Sequence, residues 1–123
     1  MLFRSLEMLE VRGNSPELRR VLQNLLDNAI KFCPPTQAVQ VRLQRQHSIV
    51  RLEVRDPGPG VTHELEARLF TRFSTARAGG GSGLGLYLAR RIVEAHGGRI
   101  GYARDGTQTV FWVELPEHEK GSS

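Results

Sequence analysis

The sequence predicts an α+β domain: a two-layer α/β sandwich whose sheet of about five strands, mixed but mostly antiparallel, is backed on one face by three helices. Three observations predict it. The chain has 123 residues, room for one compact unit and little besides. Two long segments carry apolar residues at three- and four-residue spacing, the mark of helices with one buried face, while other segments alternate apolar and polar residues as half-buried strands do. The strand signals also come in pairs instead of alternating singly with helices, which argues against a doubly wound parallel sheet. The domain is expected to fill residues 1–117, with 118–123 a frayed polar tail.

In chain order, Glu7 to Arg12 reads as a weak first strand. Ser15 as N-cap and Pro16 at the first helical position open the first long helix, which the Pro34-Pro35 pair stops. Within it Leu18, Val21, Leu22, Leu25, Leu26, Ala29 and Ile30 trace one apolar face. Val39 to Arg55 alternates as two strands about a turn near Gln46 to Ser48, a hairpin with one buried face. Asp56-Pro57-Gly58-Pro59-Gly60 forbids both helix and strand, and Glu64 to Phe70 supports a short helix. Five of the thirteen glycines then fall between Gly79 and Gly85 and open a second long helix, with Leu84, Leu88, Ile92 and Ala95 as its apolar stripe, Ala89 and Val93 flanking it, and Gly97-Gly98 ending it. Arg99 to Ala103 and Thr109 to Leu115 read as two closing strands.

Composition bounds the function. Hydrophobic residues at 39% and charged residues at 24% are ordinary for a folded soluble domain. A single cysteine, Cys33, excludes an internal disulfide and fits a reducing compartment. Seventeen basic residues against thirteen acidic leave a net charge of +4, but the arginines are dispersed from Arg4 to Arg104 and form no basic face for nucleic acid. No apolar run approaches the length of a membrane span, and Met1 to Arg4 is too short and too soon charged for a signal peptide. A cytosolic domain is expected, in a parent that the sequence leaves open to membrane anchoring.

Three features carry chemistry. At 100° per residue, Arg20, Asn24, Asn28 and Lys31 fall within about 80° of one another on the first helix. An amide oxygen in such a stripe can complete the shell of a hydrated magnesium ion, and the lysine can meet a phosphate as a point charge. A solvated helix face explains the pair of asparagines equally well. Asp56 stands where a strand ends and a rigid turn begins, placed to accept a hydrogen bond from an amine, although Asp-Pro-Gly is first of all a turn. Gly79 to Gly85 runs into a helix whose first N–H groups lack partners, and such an end favours an anion. The glycines spell neither a dinucleotide fingerprint, since Leu86 stands where its third glycine would fall, nor a Walker loop, which needs a lysine.

Taken in order, these segments resemble the nucleotide-binding boxes of sensor histidine kinases. Asn24-Leu25-Leu26-Asp27-Asn28-Ala29-Ile30-Lys31-Phe32 resembles the N box, Asp56-Pro57-Gly58-Pro59-Gly60 the G1 box, Leu69-Phe70-Thr71-Arg72-Phe73 the F box, and Gly81-Ser82-Gly83-Leu84-Gly85-Leu86 the G2 box. Ala89 to Gly98 continues the likeness, which covers the chain from about Leu9 to Pro116. One departure stands in the last box, where Gly106-Thr107-Gln108-Thr109-Val110-Phe111 has glutamine in place of the second glycine, so that Gln108 either narrows the pocket or only adjusts the turn.

The resemblance implies the ATP-binding catalytic domain, with ATP and Mg²⁺ as its ligands and a fold shared with gyrase, mismatch-repair ATPases and a heat-shock chaperone. It makes Asn24, Asn28 and Lys31 the catalytic set, with Asn28 on the metal and Phe32 against the base. Asp56 would read the adenine amine, and Gly58, Gly60 and Val61 would shape the base pocket. Residues Thr71 to Ser82 would form a mobile lid, with Phe73, Arg77 and, less directly, Arg72 facing the nucleotide. Gly81, Ser82, Gly83, Leu84, Gly85 and Leu86 would meet the phosphates, and Thr109 would complete the site. The implied reaction is transfer of the γ-phosphoryl group to a histidine on a separate dimerisation domain that then serves a response regulator. None of His47, His63, His96 or His118 sits in the acceptor motif, so that domain is expected elsewhere, in an excised remainder of the parent or a separate chain, and this one is expected to be monomeric. Two alternatives remain at this stage: a degenerate module that senses ATP or docks a partner without phosphotransfer, and a serine kinase of the anti-sigma-factor type.

Overall fold

A computed structural model describes residues 11–72 and 84–118. Helix α1 spans Ser15–Phe32, strand β1 Gln40–Gln46, β2 Ile49–Asp56, the single-turn α2 His63–Glu66, α3 Gly85–Ala95, β3 Arg99–Asp105 and β4 Gln108–Pro116. The strands form one antiparallel sheet in the order β1-β2-β4-β3. Helices α1 and α3 pack on each other and on one face of it. The predicted α+β sandwich with three helices is what the chain adopts, with four strands among the described residues. Most of the expected first strand lies outside them, and Val11 makes an isolated antiparallel bridge to Glu117.

Helix α1 starts one residue earlier than predicted. Asn14, not Ser15, is the N-cap, and its Oδ1 accepts from the Glu17 N–H at 3.0 Å. Both residues favour that role, and Asn14 wins because its extended backbone lets Ser15 and Pro16 enter the first turn. Val21, Leu25 and Ala29 are buried, but Ile30, assigned to the same face, is 62% exposed beyond the sheet's reach.

In α3 the buried line is Leu86, Ala89 and Val93, not the predicted Leu84-Leu88-Ile92-Ala95 stripe. The apolar arc of this helix is broad, and contact with α1 chooses which line turns inward. Gly97 ends the helix in the left-handed region at φ +76°.

The β1–β2 hairpin closes through His47 and Ser48, with His47 at φ +57°. Its one buried face belongs to β2 alone: Val50 and Val54 are buried, whereas every residue of β1 is exposed, Val41 at 53% and Leu43 at 51%. Among the described residues the helices do not approach this edge strand closely enough to bury its apolar side chains. A cavity of about 200 Å³ opens there, lined by Leu18, Leu22, Leu43, Leu52 and their neighbours.

Register lines the helix-facing side in rows. Leu43, Leu52, Val113 and Ile100 form one row, and Val41, Val54, Phe111 and Tyr102 the next. Beyond them, at the end of the sheet, stand Asp56, Thr109 and Arg104.

The opposite face is an ion lattice. Glu53 accepts from Arg51 and Arg55, both at 2.9 Å, and Glu114 from Arg51 at 2.8 Å and from Arg99. The guanidinium groups of Arg51 and Arg99 lie 4.7 and 5.7 Å from the ring centroid of Trp112. Its ring covers Gly101, where any β-carbon would collide with the indole.

Candidate nucleotide site

The polar row that ends the sheet sets the floor of the site. Asp56 is fully buried, and its Oδ1 accepts from the Gly58 N–H at 2.8 Å, so the carboxylate fixes the turn that follows it. Gly60 turns the chain at φ +76°, where a β-carbon would stand 2.8 Å from the Tyr102 hydroxyl. Val61 is half-buried and donates its N–H to that hydroxyl at 3.2 Å. Thr109 is fully buried and donates to the Gly58 carbonyl at 3.3 Å. Arg104 Nη1 donates to the same carbonyl and to Thr109 Oγ1, both at 2.6 Å.

Helix α1 brings its asparagine stripe onto the same side of the sheet. Asn24 is half-buried and donates from Nδ2 to the Gly85 carbonyl at 3.0 Å, tying α1 to the first residue of α3. Asn28, one turn on, is half-buried, and its Nδ2 is buried with no hydrogen-bond partner among the described residues. Lys31 and Arg20 are exposed. Lys31 Nζ lies 5.7 Å from the ring centroid of Phe32, which is half-buried at the end of the helix.

Helix α3 begins at Gly85 after Leu84, which supplies no side-chain cap. The first intrahelical bond there runs from Leu88 N–H to Leu84, so the Gly85, Leu86 and Tyr87 N–H groups have no acceptor within the helix. Leu86 packs its side chain into the core, which leaves the backbone as all it can offer a ligand. Phe73, Arg77, Gly81, Ser82 and Gly83 lie outside the described residues, as does most of the expected lid. At its start Thr71 and Arg72 are exposed, and the Arg72 guanidinium lies 5.7 Å from the Tyr87 ring centroid.

Gln108 does not narrow the site. Gly106, at φ +59°, and Thr107 make a two-residue turn, and Gln108 enters β4 pointing to the far face, where its Oε1 accepts from Arg55 at 3.1 Å. Tyr102 and Arg104 were missed in the sequence. Tyr102 had a signal, since it alternates with Ile100 in the predicted strand, whereas Arg104 lay beyond that strand's expected end and is exposed as arginines ordinarily are.

Residues 13–119 match the family described as histidine kinase-, DNA gyrase B- and HSP90-like ATPases. The chain belongs to this ATPase family. The probable sensor kinase SilS of Salmonella typhimurium is 39% identical over an alignment of 115 residues that covers 89% of this chain and 23% of SilS. The chain therefore spans about a quarter of the length of the curated relative it matches. The catalytic domain of the histidine kinase ThkA superposes with a TM-score of 0.82 at 32% identity, covering 92% of this chain and 74% of that one. Full-length ShkA in complex with AMPPNP gives 0.79 at 31% identity, covering 94% of this chain and 24% of ShkA. This ATPase-family chain is thus a domain of the histidine kinase type. Among its described residues no helix is long and apolar enough to cross a membrane.

Proposed function

We propose that this domain binds Mg-ATP and donates the γ-phosphoryl group to a histidine on a separate dimerisation and phosphoacceptor domain, as the catalytic part of a two-component sensor kinase. The observation that carries this reading is the Asn28 Nδ2, buried and without a hydrogen-bond partner among the described residues, one turn from Asn24, which holds a helix start whose first N–H groups have no acceptor within the helix. Leaving a buried polar atom unpaired costs about 1–3 kcal/mol, a cost that a bound ligand removes. Either orientation of the amide presents a polar atom, so its oxygen is available to a cation.

Among the described residues no cluster of three His, Cys, Asp or Glu could hold a metal alone. A single amide oxygen such as that of Asn28 suits magnesium, which keeps several waters and draws on few protein oxygens plus the substrate's phosphates. Asn28 would hold it, and when bound it would neutralise charge on the phosphate oxygens. Asn24 would keep Gly85 and the α3 N-terminus aimed at the phosphates. Asp56 would accept the adenine amine while Gly58, Gly60 and Val61 line the base. Phe32, Lys31, Thr109 and the lid residues Phe73, Arg77 and Gly81 to Gly83 complete the assignment. Phosphoryl transfer needs chiefly such positioning and charge neutralisation.

AMPPNP, an ATP analogue, is the ligand of one structural relative, which supports the nucleotide named here. The acceptor domain would come from the same parent or in trans, the response regulator would act downstream, and the domain alone would be a cytoplasmic monomer. The test is to incubate the domain with radiolabelled ATP, magnesium and a separately produced acceptor domain. Label that is acid-labile on the acceptor supports histidine transfer. Acid-stable label identifies a serine kinase instead, and no label despite ATP binding identifies a sensing module.

A further inference from the structure

We infer that Arg104 is a positioning residue for base recognition: it holds the turn after Asp56 in the conformation that presents the Asp56 carboxylate and the Gly58 to Gly60 backbone to a purine carrying an exocyclic amine. The inference rests on the nucleotide-binding reading above and names what fixes the base end of that site. Gly58, between Pro57 and Pro59, and Gly60 after them give the turn backbone conformations to lose. The contacts that remove this freedom come from the closing hairpin. Arg104 Nη1 bridges the Gly58 carbonyl and Thr109 Oγ1 at 2.6 Å each, and the threonine donates on to the same carbonyl.

The Gly58 carbonyl therefore takes one charged and one neutral donor, and bonds from a charged donor are about twice as strong as neutral ones. Tyr102 catches the far side of the turn through the Val61 N–H. Register makes this grip possible, since Arg104 and Asp56 both pair with Thr109, from opposite sides. Among the described residues no carboxylate forms an ion pair with Arg104, whereas Arg55, on the other face, is shared between Glu53 and Asp105. The cation acts on the neutral oxygens of the turn.

The test pairs amide hydrogen exchange on the free protein with calorimetry for Mg-ATP and Mg-GTP. In R104A the Gly58 and Val61 amides are expected to exchange about tenfold faster, with protection of the α1 and β4 core unchanged. Mg-ATP affinity should fall about tenfold and the preference for ATP over GTP should shrink, because an unheld Asp56 no longer meets the amine squarely. R104K, which keeps a charged donor, should recover most of both. If R104A does not fold, the same measurements on R104Q decide. Unchanged exchange and unchanged base preference in the folded variants overturn the inference. A wild-type protein that binds neither nucleotide overturns the functional reading and base recognition with it, whereas binding that Asn28→Ala abolishes and R104A leaves intact overturns the role of Arg104 alone.

Discussion

In the proposed assignment Asn28 and Asp56 divide the candidate site between them, one at the cation and one at the base, so their substitutions are expected to fail differently. Asn28→Ala removes an amide that nothing else among the described residues engages. It should abolish the magnesium-dependent part of ATP affinity and leave folding intact, as calorimetry with and without magnesium and a thermal melt will read. Asp56→Asn keeps the shape but adds an N–H donor. It should erase the preference for adenine over guanine nucleotides, measured by competition between Mg-ATP and Mg-GTP. Gly60 is a backbone position: at φ +76° and with the Tyr102 hydroxyl 2.8 Å from any β-carbon, Gly60→Ala is expected to cost about 1–3 kcal/mol in chemical denaturation and to weaken nucleotide binding with it. These assignments were legible because the segments that carry Asn24, Asn28, Asp56 and the glycines resemble, in order, the nucleotide-binding boxes of one family. Arg104 was not, because its partners lie 46 and 5 residues away and meet only through strand register.

At the scale of the element, the start of α1 gives a direct measurement. The Asn14 cap satisfies the Glu17 N–H, and Asn14 also donates its own N–H to His96 Nε2 at 3.0 Å, joining the start of α1 to the end of α3. Asn14→Ala keeps the backbone bond and loses the cap, so the expected loss is about 1 kcal/mol by urea denaturation, while Ser15→Ala should change little. Periodicity made the elements legible but not their rotation. The arc of α3 is apolar on two adjacent lines, and packing against α1 and the sheet buries Leu86, Ala89 and Val93 rather than Leu84 and Leu88. Likewise β1 alternates as cleanly as β2, yet β2 lies between two strands under the helices and β1 at the edge. Alternation reports that a strand could bury one face; position in the sheet decides whether it does.

For the whole molecule, the ion lattice couples stability to pH. Burial pushes the Glu53 carboxyl up, but hydrogen bonds from Arg51 and Arg55 outweigh it and hold it below the ordinary range. Glu114 is lowered by Arg99 first, against burial, and further by Arg51. Asp105 is lowered by Arg55. A carboxylate depressed on folding contributes stability that is present above its unfolded pKa and is lost as pH falls through the folded value. The protein should therefore lose stability progressively below about pH 4, and Glu53→Gln, which weakens charge-assisted hydrogen bonds, should cost about 2 kcal/mol at neutral pH while flattening that acid limb in urea titrations. Within this lattice sits the chain's sole tryptophan, on the face turned away from the candidate nucleotide site. Nature has thereby supplied an intrinsic fluorophore whose emission tracks sheet integrity and is blind to ligand: it should redden on denaturation with the same midpoint as far-ultraviolet dichroism, yet stay constant through a nucleotide titration.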